Sequence, residues 1–393
     1  MSGTLNTIYN NLHFALHLNS EALLRLQEQA ATGSRIHRAS DDPSTAHRVL
    51  ELNSQKTSLK DYSDNLLEVT NKLELSSSVI EDISSTLLDA QTRLTQIVSG
   101  VYSDDSRKTT AEGINDLLEQ IVSLANTKHA REYLFGGGHS TTAPYSVERT
   151  DGEITRVTYQ GSNENRNIDV APGVTSPALH IGLDLFHADD RGEPIFLGET
   201  GAIAGTGTSN ARGHLWLSVT GTAGNYSLSI DDGESTFDTD GTDTNLAVTH
   251  ASTGEVLYVD TTQISSAGVA LVRVPGTQDI FDTLITIRDT LRNERDLTEG
   301  QLREMLDSAF TSLEETKELL VQAEVSVGLK IGFLSDVQES LENLTYNTED
   351  ETTLLQEADI AQVAIDLSRR EILYEMSLSV AGKLLSMSLL NYI

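Results

Sequence analysis

Two stretches near opposite ends of the chain keep an apolar rhythm of alternating three- and four-residue steps. The first runs Leu59, Tyr62, Leu66, Val69, Leu73, Ser76, Ile80, Ile83, Leu87, Ala90, Leu94, Ile97. The second runs Leu302, Leu306, Ala309, Leu313, Thr316, Leu320, Ala323, Val327, Lys330, Leu334, Val337, Leu341, Leu344. That spacing lets a long helix bury one narrow seam against a partner helix. At 1.5 Å per residue the runs span roughly 57 and 63 Å, and near-equal lengths predict that they pair with each other. The seam is expected to rest on Leu66, Val69, Leu73, Ile80, Ile83 and Leu87, facing Leu306, Leu313, Leu320, Val327, Leu334 and Leu341.

The segment between the runs cannot continue them. Five of the six prolines and 20 of the 28 glycines lie between Gly136 and Gly276. Short β-like runs appear there instead: Ile154–Tyr159, His214–Val219, Tyr226–Ile230, Val256–Val259 and Val269–Val274. Trp216, the only tryptophan, is expected in their core. The predicted fold class is therefore α+β, a long antiparallel coiled-coil rod formed by both chain ends with an inserted all-β domain. The expected divisions are an N-terminal assembly helix (1–42), the first half of the rod (43–138), a β-rich outer domain (139–276), the second half of the rod (277–350) and a C-terminal assembly helix (351–393).

Both extremities carry apolar faces of their own. The first helix, over about 4–32, places Leu5, Ile8, Leu12, Leu16, Leu23 and Leu26 on one side, and Gly33 suits its end. A basic loop follows, and Asp42-Pro43 suits the start of the next helix. Asn347-Thr348-Glu349-Asp350 is expected to break the second long helix. The final helix is very apolar: from Ile372 to Ile393 only Glu375 and Lys383 are charged. Its surface, with Leu378, Ala381, Leu385, Leu389 and Leu390, exceeds what one partner helix covers. Exposed apolar area of that size marks an interaction site. The expectation is that neighbouring copies complete the burial and that these ends stay poorly ordered until they do. Insertion into a membrane is not expected, because charges and serines interrupt the span.

Charge sharpens the picture. The net charge is −32, which argues against a nucleic-acid partner. Residues 1–58 are neutral, with five acids and five bases, whereas 139–276 hold 18 acids against 6 arginines. Cysteine is absent, so disulfides and thiolate chemistry are excluded. The first residues lack the basic-then-apolar pattern of a cleaved signal peptide. No catalytic constellation emerges, and neither a cofactor nor a metal is expected. His13, His17 and Glu21 share a helix face, but as exposed polar residues. Asp238 to Asn245 alternates carboxylates without the spacing of a calcium loop. Arg35 and Asp41 are the polar residues singled out, either to fix the loop between the first two helices or to contact a neighbouring subunit.

Several motifs, in order at both ends, resemble one family. Gly33-Ser34-Arg35-Ile36-His37-Arg38-Ala39-Ser40-Asp41-Asp42-Pro43 is similar to the N-terminal signature loop of the flagellin-like axial proteins of bacterial flagella. Phe135-Gly136-Gly137, Tyr159-Gln160-Gly161 and Ile280-Phe281-Asp282-Thr283-Leu284 resemble short family motifs. Glu357-Ala358-Asp359-Ile360-Ala361 resembles the element that opens the family's last helix, and Ser388-Leu389-Leu390-Asn391-Tyr392-Ile393 its terminal stretch. The resemblance covers about 1–138 and 277–393. It lies nearer the hook–filament junction members than filament flagellin, which is the alternative. It implies a structural subunit of the extracellular flagellum, forming a ring or helical layer of copies between hook and filament. The implied partners are other axial proteins (hook-associated protein 1 and flagellin) and a cytoplasmic export chaperone. Export would proceed unfolded through the flagellar type III channel.

Overall fold

The computed structural model describes residues 2–100, 103–177 and 179–390; the side chains of 2–6, 8, 9, 99 and 384–390 fall outside the description. Helices α1 (Ser2–Thr32), α2 (Pro43–Ser99) and α3 (Asp104–Ala125) come first. The hairpins β1 (Lys128–His129)–β2 (Glu132–Tyr133), β3 (Tyr145–Thr150)–β4 (Glu153–Tyr159) and β5 (Asn167–Ala171)–β6 (Val174–Pro177) follow, then the short helix α4 (Gly182–Phe186). Next come β7 (Ile195–Leu197), β8 (Ile203–Ala204), β9 (His214–Thr222), β10 (Asn225–Ser229), β11 (Phe237–Thr239), β12 (Leu246–Thr249), β13 (Val256–Asp260) and β14 (Gly268–Arg273). The chain ends in α5 (Ile280–Arg292), α6 (Glu299–Gln356) and α7 (Ile360–Leu390). The fold is α+β, with long helices at both ends and a β-rich middle. It divides into two compact units, Met1–Asp64 with Gln338–Ile393, and Asn65–Val337, so α2 and α6 contribute to both.

In the unit made by the chain ends, α1 packs along α7. Arg370 of α7 donates to Asn19 of α1 at 3.1 Å. The start of α2 and the end of α6 run antiparallel, tied by Arg48–Glu351 at 2.9 Å and Lys56–Glu349 at 2.6 Å. Leu52, Leu59, Leu341 and Thr348 are buried in this unit.

In the other unit, α2 buries Leu66, Val69, Leu73, Ile80, Ile83 and Leu87, and α6 buries Leu306, Leu313, Leu320, Val327 and Leu334. Helix α3 packs along α5, each presenting a fully buried leucine–isoleucine stripe. The β region holds a five-stranded antiparallel sheet, ordered β11-β10-β9-β14-β7, and a three-stranded sheet, β12-β13-β8. Leu215, Leu217 and Val219 alternate inward along β9 and meet Leu228, Val248, Leu257, Val259 and Val272 in one core. Paired opposite each other on β9 and β14, His214 and Arg273 both bind Ser312 of α6, at 3.0 and 2.9 Å.

Three of the separately noted motifs meet in a single aromatic cluster. Phe135, Phe186, Phe281, Tyr145 and Tyr159 pack edge-on or tilted, with ring centroids 4.8 to 6.4 Å apart. Gly137 stands at φ 57°, and a Cβ on Gly136 would meet the His139 carbonyl at 2.5 Å, so the glycines let the chain turn into the cluster. The Tyr159 hydroxyl closes it by donating to the Phe135 and Ser162 carbonyls at 3.2 and 3.1 Å.

Three expectations are corrected. Helix α6 passes through Asn347–Asp350 and ends at Gln356. No glycine or proline stands there to stop it, and the Thr348 hydroxyl folds back onto the Leu344 carbonyl. The real break is Glu357–Asp359, where Asp359 accepts from the Gln362 amide at 3.0 Å and starts α7. Leu344 is exposed while Thr348 is buried, because a straight helix drifts about 20° per heptad away from a seven-residue seam. Trp216 is not in the β core: strand parity turns it to the other face, where Arg295 lies over its ring at 4.7 Å.

Candidate assembly surfaces

The polar residues singled out from sequence sit in the unit formed by the chain ends, where they lock two helix junctions together. Gly33, at φ 72°, ends α1 with its amide on the Gln29 carbonyl at 2.8 Å. Its own carbonyl accepts from Ala358, and the Arg35 amide donates to the Gln356 carbonyl at 2.6 Å. The loop after α1 is thus backbone-bonded to the α6–α7 break. The Arg35 guanidinium reaches the Leu355 carbonyl at 3.3 Å and the Asp42 carboxylate at 3.5 Å. Asp41 accepts from the Arg38 and His37 amides at 2.9 and 3.2 Å and lies 3.6 Å from Arg25. The Arg38 amide, above all, holds the Asp41 carboxyl below its ordinary range. Asp42 is held far lower by the Thr45 hydroxyl and amide and the Ser44 hydroxyl, and it caps α2. Both residues therefore fix the loop within the chain. Sequence reasoning missed the buried Gln29, whose side-chain amide donates to the Arg35 carbonyl at 2.9 Å.

The apolar candidates divide. Leu23 is buried, and Leu12, Leu16, Leu26 and Ala381 are half-buried, whereas Leu378 is exposed. Leu5, Ile8, Leu385, Leu389 and Leu390 lie outside the described side chains. Other exposed apolar side chains were not among those named. Phe14 is 64 % exposed and Leu24 also 64 % on α1, and Ile365, Ile372, Met376 and Val380 stand open along α7. A helix that buries one side against its neighbour while leaving large apolar side chains open has a second face to cover. The signal was legible in the apolar residues all round both helices. Among the described residues no helix is long and apolar enough to cross a membrane.

His17 lies 3.9 Å from Glu21, both largely exposed. Asp240 and Asp243 are taken up by the hydroxyls of Thr242 and Thr239 at 2.6 Å each, as in a closed turn. Among the described residues no three histidine or carboxylate side chains converge as metal ligands.

Residues 4–139 match the family described as the bacterial flagellin N-terminal helical region. The flagellar hook-associated protein 3 of Escherichia coli K12 is 32% identical over 133 residues, 33% of this chain and 42% of that protein. Its counterpart in Salmonella typhimurium is 27% identical over 172 residues, 43% of this chain and 52% of that protein. The N-terminal third of the chain thus matches the flagellin N-terminal helical region. The aligned stretches span about half the length of these relatives. The fold agrees with a crystal structure of flagellar hook-associated protein 3 from Legionella pneumophila, at a TM-score of 0.54 and 14% identity, covering 78% of this chain and 98% of that one. The loop after α1 and the aromatic cluster are held by contacts within the chain, while α1 and α7 keep exposed apolar side chains.

Proposed function

We propose that this chain is a structural subunit of the bacterial flagellum, seated at the junction between hook and filament and without catalytic activity. The observation that carries the reading is the open apolar surface on α1 and α7, in a chain similar to proteins named hook-associated protein 3. Those helices bury against each other and still present Phe14, Leu24, Ile372 and Met376 to water. Copies placed head to tail would cover those faces, and a rotation that does not close would yield a tubular layer. The partners are further copies of this chain and the adjoining axial proteins, hook-associated protein 1 and flagellin. The same faces need shelter before assembly, which a cytoplasmic export chaperone would give. The place of action is outside the cell, reached through the flagellar export channel.

Deletion of the gene tests this. Electron microscopy is expected to show hooks without filaments and filament protein shed into the medium. Filaments still attached to hooks would refute the junction role.

A further inference from the structure

Helix α6 carries a second unpartnered face, away from the chain ends and opposite its buried seam. Val321, Val325, Leu329 and Phe333 recur every four residues and are 47 %, 56 %, 72 % and 52 % exposed. Interleaved with them, Gly328 and Gly332 stand inside the helix with nothing within 4 Å of an added Cβ. Each interior glycine costs a helix about 1 kcal/mol relative to alanine. At Gly113 of α3 the cost has a visible reason, since a Cβ there would strike the Arg93 guanidinium. At Gly328 and Gly332 no described atom of this chain occupies the space the missing side chains leave.

The same window is also free of acid. Between Glu324 and Asp336 the only charge is Lys330, in a chain with 59 acidic residues. Lys330 is itself half-buried. A basic partner would find no carboxylate to pair with here. For like copies carrying −32 each, an acid-free strip is where two surfaces approach with least repulsion. Small residues flanked by large apolar ones suit a second helix, whose backbone can come close at the glycine notch.

We infer that the Val321–Phe333 face of α6 is a self-contact surface that receives a helix of a second copy of this chain within the assembly. This rests on the subunit role proposed above and names a contact distinct from α1 and α7. Four such side chains offer well below the ~800 Å² per partner of a stable interface. The contact therefore closes only when other contacts have already gathered the copies.

The chain has no cysteine, so single thiols can be placed cleanly. Leu329→Cys, labelled with a benzophenone maleimide, would be irradiated in isolated flagella, with Ser85→Cys on the exposed side of α2 as control. The expected product is a cross-linked pair of this chain, in about tenfold excess over the control, as a held neighbour rather than random collision gives. Gly332→Leu fills the open notch, so it is expected to leave the melting temperature of the free subunit unchanged or raised and to cut the cross-link several-fold. The chain present in flagella with no excess at position 329, or cross-linked there only to a different protein, overturns this inference alone. An unchanged yield in Gly332→Leu overturns it too. Absence of the chain from flagella removes the subunit role as well.

Discussion

The helices α5 and α7 use much the same apolar residues to opposite ends. In α5, Ile280, Phe281, Leu284, Ile287 and Leu291 are buried, because α3 and the β3–β4 hairpin close around them within one chain. In α7, Ile365, Ile372, Met376, Leu378 and Val380 stand open, because α1 can cover only one side. Leucine and isoleucine content alone does not make a core. What matters is how many neighbours the topology supplies, and the chain ends are supplied with too few.

Truncation gives the sharpest break in that contrast. Removing residues 372–393 is expected to abolish incorporation into flagella, while the melting transition of the 65–337 unit stays in place. Calorimetry together with immunoblotting of isolated flagella measures both. A truncated chain that still attaches filaments would mean the open face of α7 is idle.

Single charges come next. Leu73 is 1 % exposed, so Leu73→Asp buries a carboxylate without a partner. The expected loss is roughly 3 kcal/mol or more, or about 6–12 °C in melting temperature for a unit of this size. Phe14→Asp on the open side of α1 is expected to leave the melting temperature within about 1 °C and yet to impair assembly. Equal thermal shifts in the two variants would erase the distinction between the regions.

Acid probes the interior more gently. Burial, with Lys330 adding to it, lowers the His180 pKa from 6.5 to about 4. The unfolded chain takes up a proton in that interval and the folded one does not, so stability falls as pH drops from about 6.5 towards 4. His187 acts the other way: despite its burial, Asp279 at 2.7 Å raises its pKa, and its contribution fades as pH rises through that raised value. The comparison of wild type with His180→Gln isolates the first effect. The variant is expected to lose on the order of 1–3 kcal/mol less between pH 7 and 4. Parallel pH profiles would show that His180 is as readily protonated folded as unfolded.

The smallest effect is expected at Lys56–Glu349. Both side chains are about half exposed, so Lys56→Met should cost under about 1 kcal/mol. A larger loss in urea titrations would mean this pair, rather than Leu52 and Leu59, holds α2 to α6.

Much of this was readable in advance. The buried positions along α2 and α6 were, because a seven-residue apolar period has few other meanings, and five of the strands were, because turn residues isolate them, though six-residue β3 was not. The α6 break was misplaced by some ten residues, since polar side chains such as Asn347 and Glu349 stand comfortably on the outside of a helix. Trp216 was misjudged because hydrophobic size suggested burial, whereas parity with Leu215 and Leu217 decides the face. Phe14 and Ile365 went unnamed because periodicity picks out the face a helix buries first, and both lie on the other one. Arg35 and Asp41 were found as residues, but their partners Gln29, Gln356 and Ala358 come from backbone exchange between distant segments, which no spacing announces.

Hydrogen exchange by mass spectrometry, on the free subunit and on isolated flagella, tests the central claim most directly. In the free subunit, amides of α1 and α7 are expected to exchange orders of magnitude faster than those of α3 and α5, and to slow to comparable rates after assembly. If α1 and α7 are already as protected as α5 in the solitary chain, and assembly changes nothing, their apolar faces are not completed by neighbours.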